Sequence, residues 1–488
     1  MTVTAHTRYE SGLPPLGNLV DGQWRLAGEG FDVRNKYTDE LIAELPEAPA
    51  ETVTEAVRVL DRAARAELLT PADRATVLRR TAELLEERRE AFATLMIDEV
   101  GFTRSDVDGE IDRAVVTLGL CAEEATRLTG RTASFASSPG QHHRLGFTVR
   151  VPLGVVCAIT PFNSPLNTVL HKIGPALAGG NAVVLKPSGQ TPLTAALLCA
   201  TLLDAGLPPS LLALLHGVDA RVGELLLAEP DIAFYSFTGS TKVGRAIQRG
   251  AGLRRTQLEL GSIASTIVCA DADLDRAVPR IANAGFRKAG QVCTSVQRLY
   301  VARSIVDEVT ERMVTAATAM PSGDPRDPSV RVGPMISESA ATRVSDWLAE
   351  ARHGGAQVRC GGGRNQSVVE PTVLVEAQSG MRVVDQEVFG PVLTILPFDE
   401  LTEAIDGAND TPFGLAAGIF TQDIDQALRA ARSLRFGTVH LNEPSSSRAD
   451  SMPFGGVKES GHGHEGPAYA IREVTEERLV TLNPADPG

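Results

Sequence analysis

The chain predicts an α/β protein of two parallel-sheet units with a hairpin arm, and three observations carry that expectation. First, 488 residues are too many for one ordinary core, and 43% hydrophobic with 22% charged residues suffices to bury two. Second, Val/Leu/Ile-rich runs alternate with helical stretches from Gly154 to Phe237 and again from Thr266 to about Gly437, the pattern of parallel sheets covered on both faces. Third, two stretches that alternate polar and apolar residues, Thr132 to Ser137 and Leu145 to Val151, interrupt the helical N-terminal part.

The elements follow in order. Leu19 to Trp24 reads as a short hairpin turning at Asp21-Gly22. Thr70-Pro71-Ala72-Asp73 opens a helix with a cap, a first-turn proline and an acid near the positive helix end. Apolar residues then recur at helical spacing through Leu78, Leu84, Leu85, Phe92 and Leu95 until Gly101. The alternating pair joined by Ser138-Pro139-Gly140-Gln141 is either an arm toward a second subunit or an ordinary surface hairpin. Next come strands at Val155 to Thr160, Asn181 to Leu185, Leu211 to Leu215 and Ile232 to Phe237, with helices at Thr191 to Asp204 and Val222 to Leu227. In the second half, Asp271-Ala272-Asp273-Leu274 caps a helix, and a loop from Gly290 to Cys293 precedes the strand Leu299 to Ala302. The tail, Val474 to Thr481, alternates as a further strand available to the hairpin.

A net charge of −14 without a basic run argues against nucleic-acid or membrane partners and for a small molecule. Met1 to His6 carries no basic region followed by an apolar run, and no stretch approaches ~18 apolar residues, so a cytoplasmic location is expected. Six scattered cysteines without a C-x-x-C pair read as free thiols, five of them core filler.

The sixth, Cys293, lies between small and polar residues, and Glu259 precedes it in Leu258-Glu259-Leu260-Gly261. A soft nucleophile and a carboxylate base are the materials of covalent catalysis with a separate hydrolytic step. Phe237-Thr238-Gly239-Ser240-Thr241-Lys242 ends a strand and opens a helix, where amides can hold a pyrophosphate or simply make a tight strand–helix turn; it is neither G-x-G-x-x-G nor a P-loop. Lys186 ends another strand, where it could meet ribose hydroxyls or be an ordinary exposed strand-end lysine. Asn163 between Pro161 and Pro165 is a rigid carboxamide, an oxyanion donor or a simple turn residue. Glu387-Val388-Phe389 offers a carboxylate and an aromatic face, for a nucleoside or for the core.

In sequence order, Pro161-Phe162-Asn163, Lys186-Pro187-Ser188, Phe237-Thr238-Gly239-Ser240-Thr241, Leu258-Glu259-Leu260-Gly261, Gly290-Gln291-Val292-Cys293, Glu387-Val388-Phe389-Gly390-Pro391 and Pro453-Phe454-Gly455-Gly456-Val457-Lys458 resemble the aldehyde dehydrogenase superfamily over nearly the whole chain. The resemblance implies a Rossmann-like cofactor domain (1–131 and 152–258), an α/β catalytic domain (259–469) and an oligomerisation arm (132–151 and 470–488). It implies NAD or NADP and a homodimer or homotetramer. It also implies that Cys293 attacks the aldehyde, that Asn163 holds the oxyanion and that Glu259 activates water. Cofactor contacts are implied at Thr160, Pro161, Phe162, Lys186, Ser188, Gly189, Gly223, Phe237, Gly239, Ser240, Leu260, Glu387 and Phe389.

Gly189 stands where the family usually has a Glu that repels a 2′-phosphate, which makes NADP credible; Ser262 replaces a Gly and Phe162 a Trp. Ser262, the run from Cys293 to Arg298 and Arg448-Ala449-Asp450-Ser451-Met452-Pro453-Phe454 are similar to the branch of lactaldehyde, phosphonoacetaldehyde and non-phosphorylating glyceraldehyde-phosphate dehydrogenases. That branch implies a small polar or anionic aldehyde, with Arg448 and Phe454 on the substrate side; a structural salt bridge at Arg448 is the alternative. The other readings are a CoA-acylating enzyme, against which Glu259 speaks, and a catalytically silent relative. His462-Gly463-His464 is assigned no metal, and His171 is expected to be a satisfied core histidine.

Overall fold

The computed structural model describes residues 17–66, 69–218 and 220–484; the leader reading at Met1 to His6 and the last residues of the arm, 485–488, lie outside them. An eight-stranded sheet is built on five parallel strands in the spatial order Leu212–Leu214, Ala182–Lys186, Val155–Ile159, Ile232–Thr238 and Arg255–Glu259. The chain adds strands on one side of Val155–Ile159, then returns to add Ile232–Thr238 on the other. That reversal is a topological switch point, and the crevice beyond the carboxyl ends of these two strands is where such sheets bind ligands.

The hairpin Asn18–Val20/Gln23–Arg25 pairs antiparallel at one edge of this sheet. Asp21 and Gly22 have φ of 50° and 75°, as a two-residue hairpin turn requires. At the other edge Gly461–His462 pairs with Leu258 and Glu259, so the chain returns to the first sheet after finishing the second.

The second sheet has seven strands in the order Gln357–Cys360, Thr372–Val375, Val392–Phe398, Arg298–Ala302, Ser265–Val268, Ala416–Phe420 and Thr438–Leu441, all parallel except the first. Side chains alternate between its two faces. Ile267, Tyr300 and Ile419 enter one apolar layer, and Val268, Leu299 and Val301 the other. The first sheet ends at Glu259 and the second begins at Ser265, which sets the carboxyl ends of one beside the amino ends of the other.

The tail Thr475–Leu482 pairs along its whole length with Leu145–Pro152, and Thr132–Ser134 completes a three-stranded antiparallel sheet. The first arm strand stops at Ser134, short of the expected Ser137, because turns begin there, with the Ser138 amide donating to Phe135 O at 3.0 Å. The helix expected to run from Thr70 to Gly101 is two helices, Pro71–Glu87 and Arg89–Val100. Arg88 at the break has φ −99° and ψ 15°, and its guanidinium reaches Thr201 Oγ1 and Asp204, a tertiary pull that overrides the helical pattern. The hairpin Gly30–Arg34/Leu41–Pro46 had no expectation attached to it.

All six cysteines are free, and Cys121, Cys157, Cys199 and Cys269 are buried. Cys360 is a correction: it is only half-buried, because its strand lies at the edge of the second sheet. Among the described residues no helix is long and apolar enough to cross a membrane.

Candidate active site

A cavity of about 890 Å³ opens at the switch point and runs from the ends of Ala182–Lys186 and Ile232–Thr238 to the Cys293 loop. Every cofactor residue expected from the sequence lines it, from Thr160 to Phe389, together with Asn163, Glu259 and Cys293. Arg448 and Phe454 are not among its lining residues.

At the outer end, Ser240 caps the helix Thr241–Ala251 by accepting from the Val243 amide, and the Gly239 amide donates to Glu259 O at 3.0 Å. A Cβ at Gly239 would lie 2.5 Å from the Phe237 ring, so glycine leaves the approach to the helix amides open. Lys186 is buried and donates to Gly217 O at 3.0 Å. A Cβ at Gly189 would lie 2.8 Å from Val218 Cα. A glutamate at position 189 therefore requires the 217–218 backbone to move, and the space beside Gly189 is set by that loop.

At the inner end the Cys293 loop takes a costly path. Lys288, Ala289 and Gly290 are consecutive left-handed residues, with φ of 53°, 53° and 66°. A Cβ at Gly290 would clash with the Gly390 carbonyl, so glycine is what lets the thiol loop lie against the turn that carries Glu387 and Phe389. Asn163 Nδ2 donates to Gln291 O at 2.7 Å, and Gln291 Oε1 accepts from the Ile336 amide at 2.9 Å. Burial, with Glu387 and Glu259 adding to it, pushes the Cys293 thiol up to about 12.

Glu259 is 3% exposed and neither carboxylate oxygen has a hydrogen-bond partner. Burial, reinforced by the neighbouring Glu465 charge, raises its pKa well above the usual carboxylate range. Glu465 stays ionised against its own burial because Lys172 Nζ lies at 3.1 Å and Arg448 Nη2 at 2.8 Å. Glu387 is pushed up to about 7 by burial, and accepts from the Ser262 amide at 3.0 Å. Phe389, with φ 46°, stands edge-on to Phe162 at 5.9 Å.

Arg448 is thus ion-paired, as the structural alternative held, and its guanidinium lies over the Phe454 ring at 4.0 Å; its buried Nε has no partner. His171 departs from the expectation of a satisfied core residue. Its Nε2 meets Asp450 at 2.9 Å, while Nδ1 is buried without a partner. Asp450 also receives Arg113 and Asn167. The rings of His462 and His464 turn to different partners, Thr256 and Glu473.

Sequence reasoning passed over Lys172, Glu465, Arg287, Lys288 and Arg343. Lys172 did leave a signal, a charge inside the wholly buried helix Asn167–Ala178. Arg343, which lines the cavity and donates to Val388 O at 2.8 Å, left none.

The chamber fits a dinucleotide. Its volume is in the roughly 300–1,000 Å³ range of such sites, it has a capped helix start at one end, and buried Thr160 Oγ1 has no protein partner. A dinucleotide chamber ending on a thiol and an unpartnered carboxylate defines an oxidoreductase acting on a carbonyl carbon. Residues 24–480 match the model of the Aldehyde dehydrogenase family, and the chain belongs to that family.

It is 44% identical to the 3-sulfolactaldehyde dehydrogenase of Priestia megaterium, over 96% of this chain and 98% of that protein. It is 36% identical to an NADP-dependent succinate-semialdehyde dehydrogenase of Escherichia coli, over 95% and 97%. Among solved structures, the NADP complex of an NADP-dependent glyceraldehyde-3-phosphate dehydrogenase from Bacillus halodurans superposes with a TM-score of 0.93 at 32% identity, over 96% and 99%. The protein is an aldehyde dehydrogenase that uses NAD or NADP.

Proposed function

We propose that the chain oxidises a small polar or anionic aldehyde to its carboxylic acid through a thioester on Cys293 that Glu259 hydrolyses. The observation that carries this reading is the meeting of Cys293 and a Glu259 with two unpartnered oxygens on one cavity. Bound NAD or NADP supplies a positively charged ring and takes up the hydride. Cys293, as thiolate, forms the C–S bond to the aldehyde carbon, and the carbonyl oxygen becomes an oxyanion. Asn163 has one amide proton on Gln291 O and a second for that oxyanion, beside the Cys293 amide. Loss of hydride leaves the thioester. Glu259 then accepts a proton from water as its oxygen attacks, the C–S bond breaks, and the thiolate is restored as the acid departs.

Lys186 and Ser188 would hold the adenosine ribose, Gly239 and Ser240 the pyrophosphate, and Glu387 with Phe389 the nicotinamide riboside. An anionic substrate is supported by Arg287, a half-buried guanidinium that donates to Ser446 Oγ at 2.8 Å, which in turn accepts from Thr294 Oγ1 next to Cys293. Relatives named for 3-sulfolactaldehyde and succinate semialdehyde support the same chemistry.

A panel of anionic and neutral aldehydes of matched length, with product analysis, tests the reading. We expect the acid and one reduced cofactor per aldehyde without coenzyme A, and a kcat/KM about 10- to 100-fold higher for the anionic series, the value of one charge-assisted contact. Arg287→Met should collapse that ratio. A strict coenzyme A requirement, or equal rates on long apolar aldehydes, would contradict the proposal.

Assembly as a homodimer or homotetramer through the three-stranded arm is supported by Leu145, Phe147, Leu479 and Leu482, which are 61%, 41%, 52% and 51% exposed. Sedimentation of the native protein should show no monomer at micromolar concentration; a monomer that turns over at full rate would refute this assembly.

A further inference from the structure

Between Asn163 and the thiol loop lies a buried ion pair that the chemistry above does not use. Lys288 Nζ sits 2.7 Å from Glu110 Oε2, with the two residues 7% and 2% exposed. Glu110 belongs to the helix Arg104–Arg127, which packs on the helix Asn167–Ala178 of the first unit, and Lys288 begins the left-handed turn that leads to Cys293. The other Glu110 oxygen accepts from Ser164 Oγ at 2.6 Å and from the Asn167 amide at 2.9 Å, so one carboxylate grips the segment just after Asn163. Lys288 Nζ also donates to Asn163 O at 3.2 Å and lies 4.3 Å from the centre of the Phe102 ring.

Asn163 is therefore held at both ends by residues three apart on the thiol loop. Lys288 takes its main-chain carbonyl and the Gln291 carbonyl takes its side-chain amide. Buried ion pairs add little net stability, since apolar substitutes of similar size do as well. This one spans the two units and touches the residue whose amide must point at the reacting oxygen. Against its own burial, Glu110 is held at about 2 by the Lys288 ammonium and its hydrogen bonds, so the carboxylate stays charged throughout the working range.

We propose that Lys288, braced by Glu110, is a positioning residue that locks Asn163 to the Cys293 loop and so sets the oxyanion geometry. The inference rests on the reading of Asn163 as the oxyanion donor. Lys288→Met keeps the aliphatic stem and removes the ammonium. Because a shift of about 1 Å at a reacting group costs about 100-fold in rate, kcat should fall by about that factor, with KM for cofactor and for aldehyde within about threefold of the native values. Should this variant not fold, Glu110→Gln removes the charge while leaving an acceptor for the Asn167 amide, and should show the same split. The double variant should be no slower than the slower single one, because both act through one brace.

A native kcat per folded active site with only a lowered melting temperature would reduce the pair to a structural brace and overturn the proposal, as would multiplicative losses in the double variant. Asn163→Ala separates the two levels. If it loses activity while Lys288→Met does not, the brace alone is refuted; if Asn163→Ala retains native kcat, the oxyanion reading falls and the brace with it.

Discussion

Replacing Cys293 by alanine is expected to lower kcat by roughly 10⁴-fold or more, the scale on which a covalent enzyme loses its nucleophile, while cofactor affinity stays within about twofold because the chamber walls are untouched. The thiol occupies the inner end of the cavity, so its removal leaves a small gap and no new charge. Cys293, only half-buried on the cavity, is pushed up to about 12 by desolvation and by Glu387 and Glu259, a direction that disfavours the thiolate. The proposed reaction then requires the thiolate to form once cofactor is bound, where a positively charged ring would offset the two carboxylates. Alkylation of Cys293 by iodoacetamide should accordingly quicken when NAD or NADP is added. Cofactor fluorescence titration of Cys293→Ala, beside its turnover, decides the matter: a variant that binds cofactor and keeps a tenth of the native rate would show that hydride is lost without a covalent bond to this residue.

The fold was legible wherever local chemistry agreed with the tertiary outcome. Asp21-Gly22 demanded a hairpin turn, near-continuous apolar runs demanded strands buried on both faces, and the alternation at 475–482 found its partner in 145–152. The break at Arg88 was not legible, because its cause lies at Thr201 and Asp204, more than a hundred positions away. The site divides in the same way. Strand ends and glycines named residues that line one cavity, since backbone approach and helix amides are properties of a few adjacent residues. The charges that tune it are long-range pairs: Lys172 with Glu465 across 293 positions, His171 with Asp450 across 279, and Lys288 with Glu110 across 178. A lone lysine in an apolar run announces that it has a partner but not which one. Cys360 and the half-satisfied His171 misled for the same reason, since burial and satisfaction are set by neighbours remote in the chain.

Glu259→Gln should divide the reaction in two. Glutamine keeps the shape of the side chain but cannot accept a proton from water, so thioester formation should proceed and hydrolysis should slow by about 10²- to 10⁴-fold. Rapid mixing with cofactor and aldehyde should then give a burst of about one reduced cofactor per active site, followed by slow turnover, and the acyl group should be found by mass on the peptide carrying Cys293. The pH dependence sharpens the assignment. Only the ionised carboxylate is a base, and burial with the Glu465 charge raises Glu259 well above the usual range. The native hydrolysis rate should therefore climb as pH rises through that elevated value, on the alkaline side of an ordinary carboxylate, and the limb should vanish in Glu259→Gln. Glu465 stays ionised through Lys172 and Arg448 and does not itself produce the limb. Loss of the burst in step with steady-state turnover would place Glu259 before the thioester, as the base that ionises Cys293, and would move its proton from the water to the thiol.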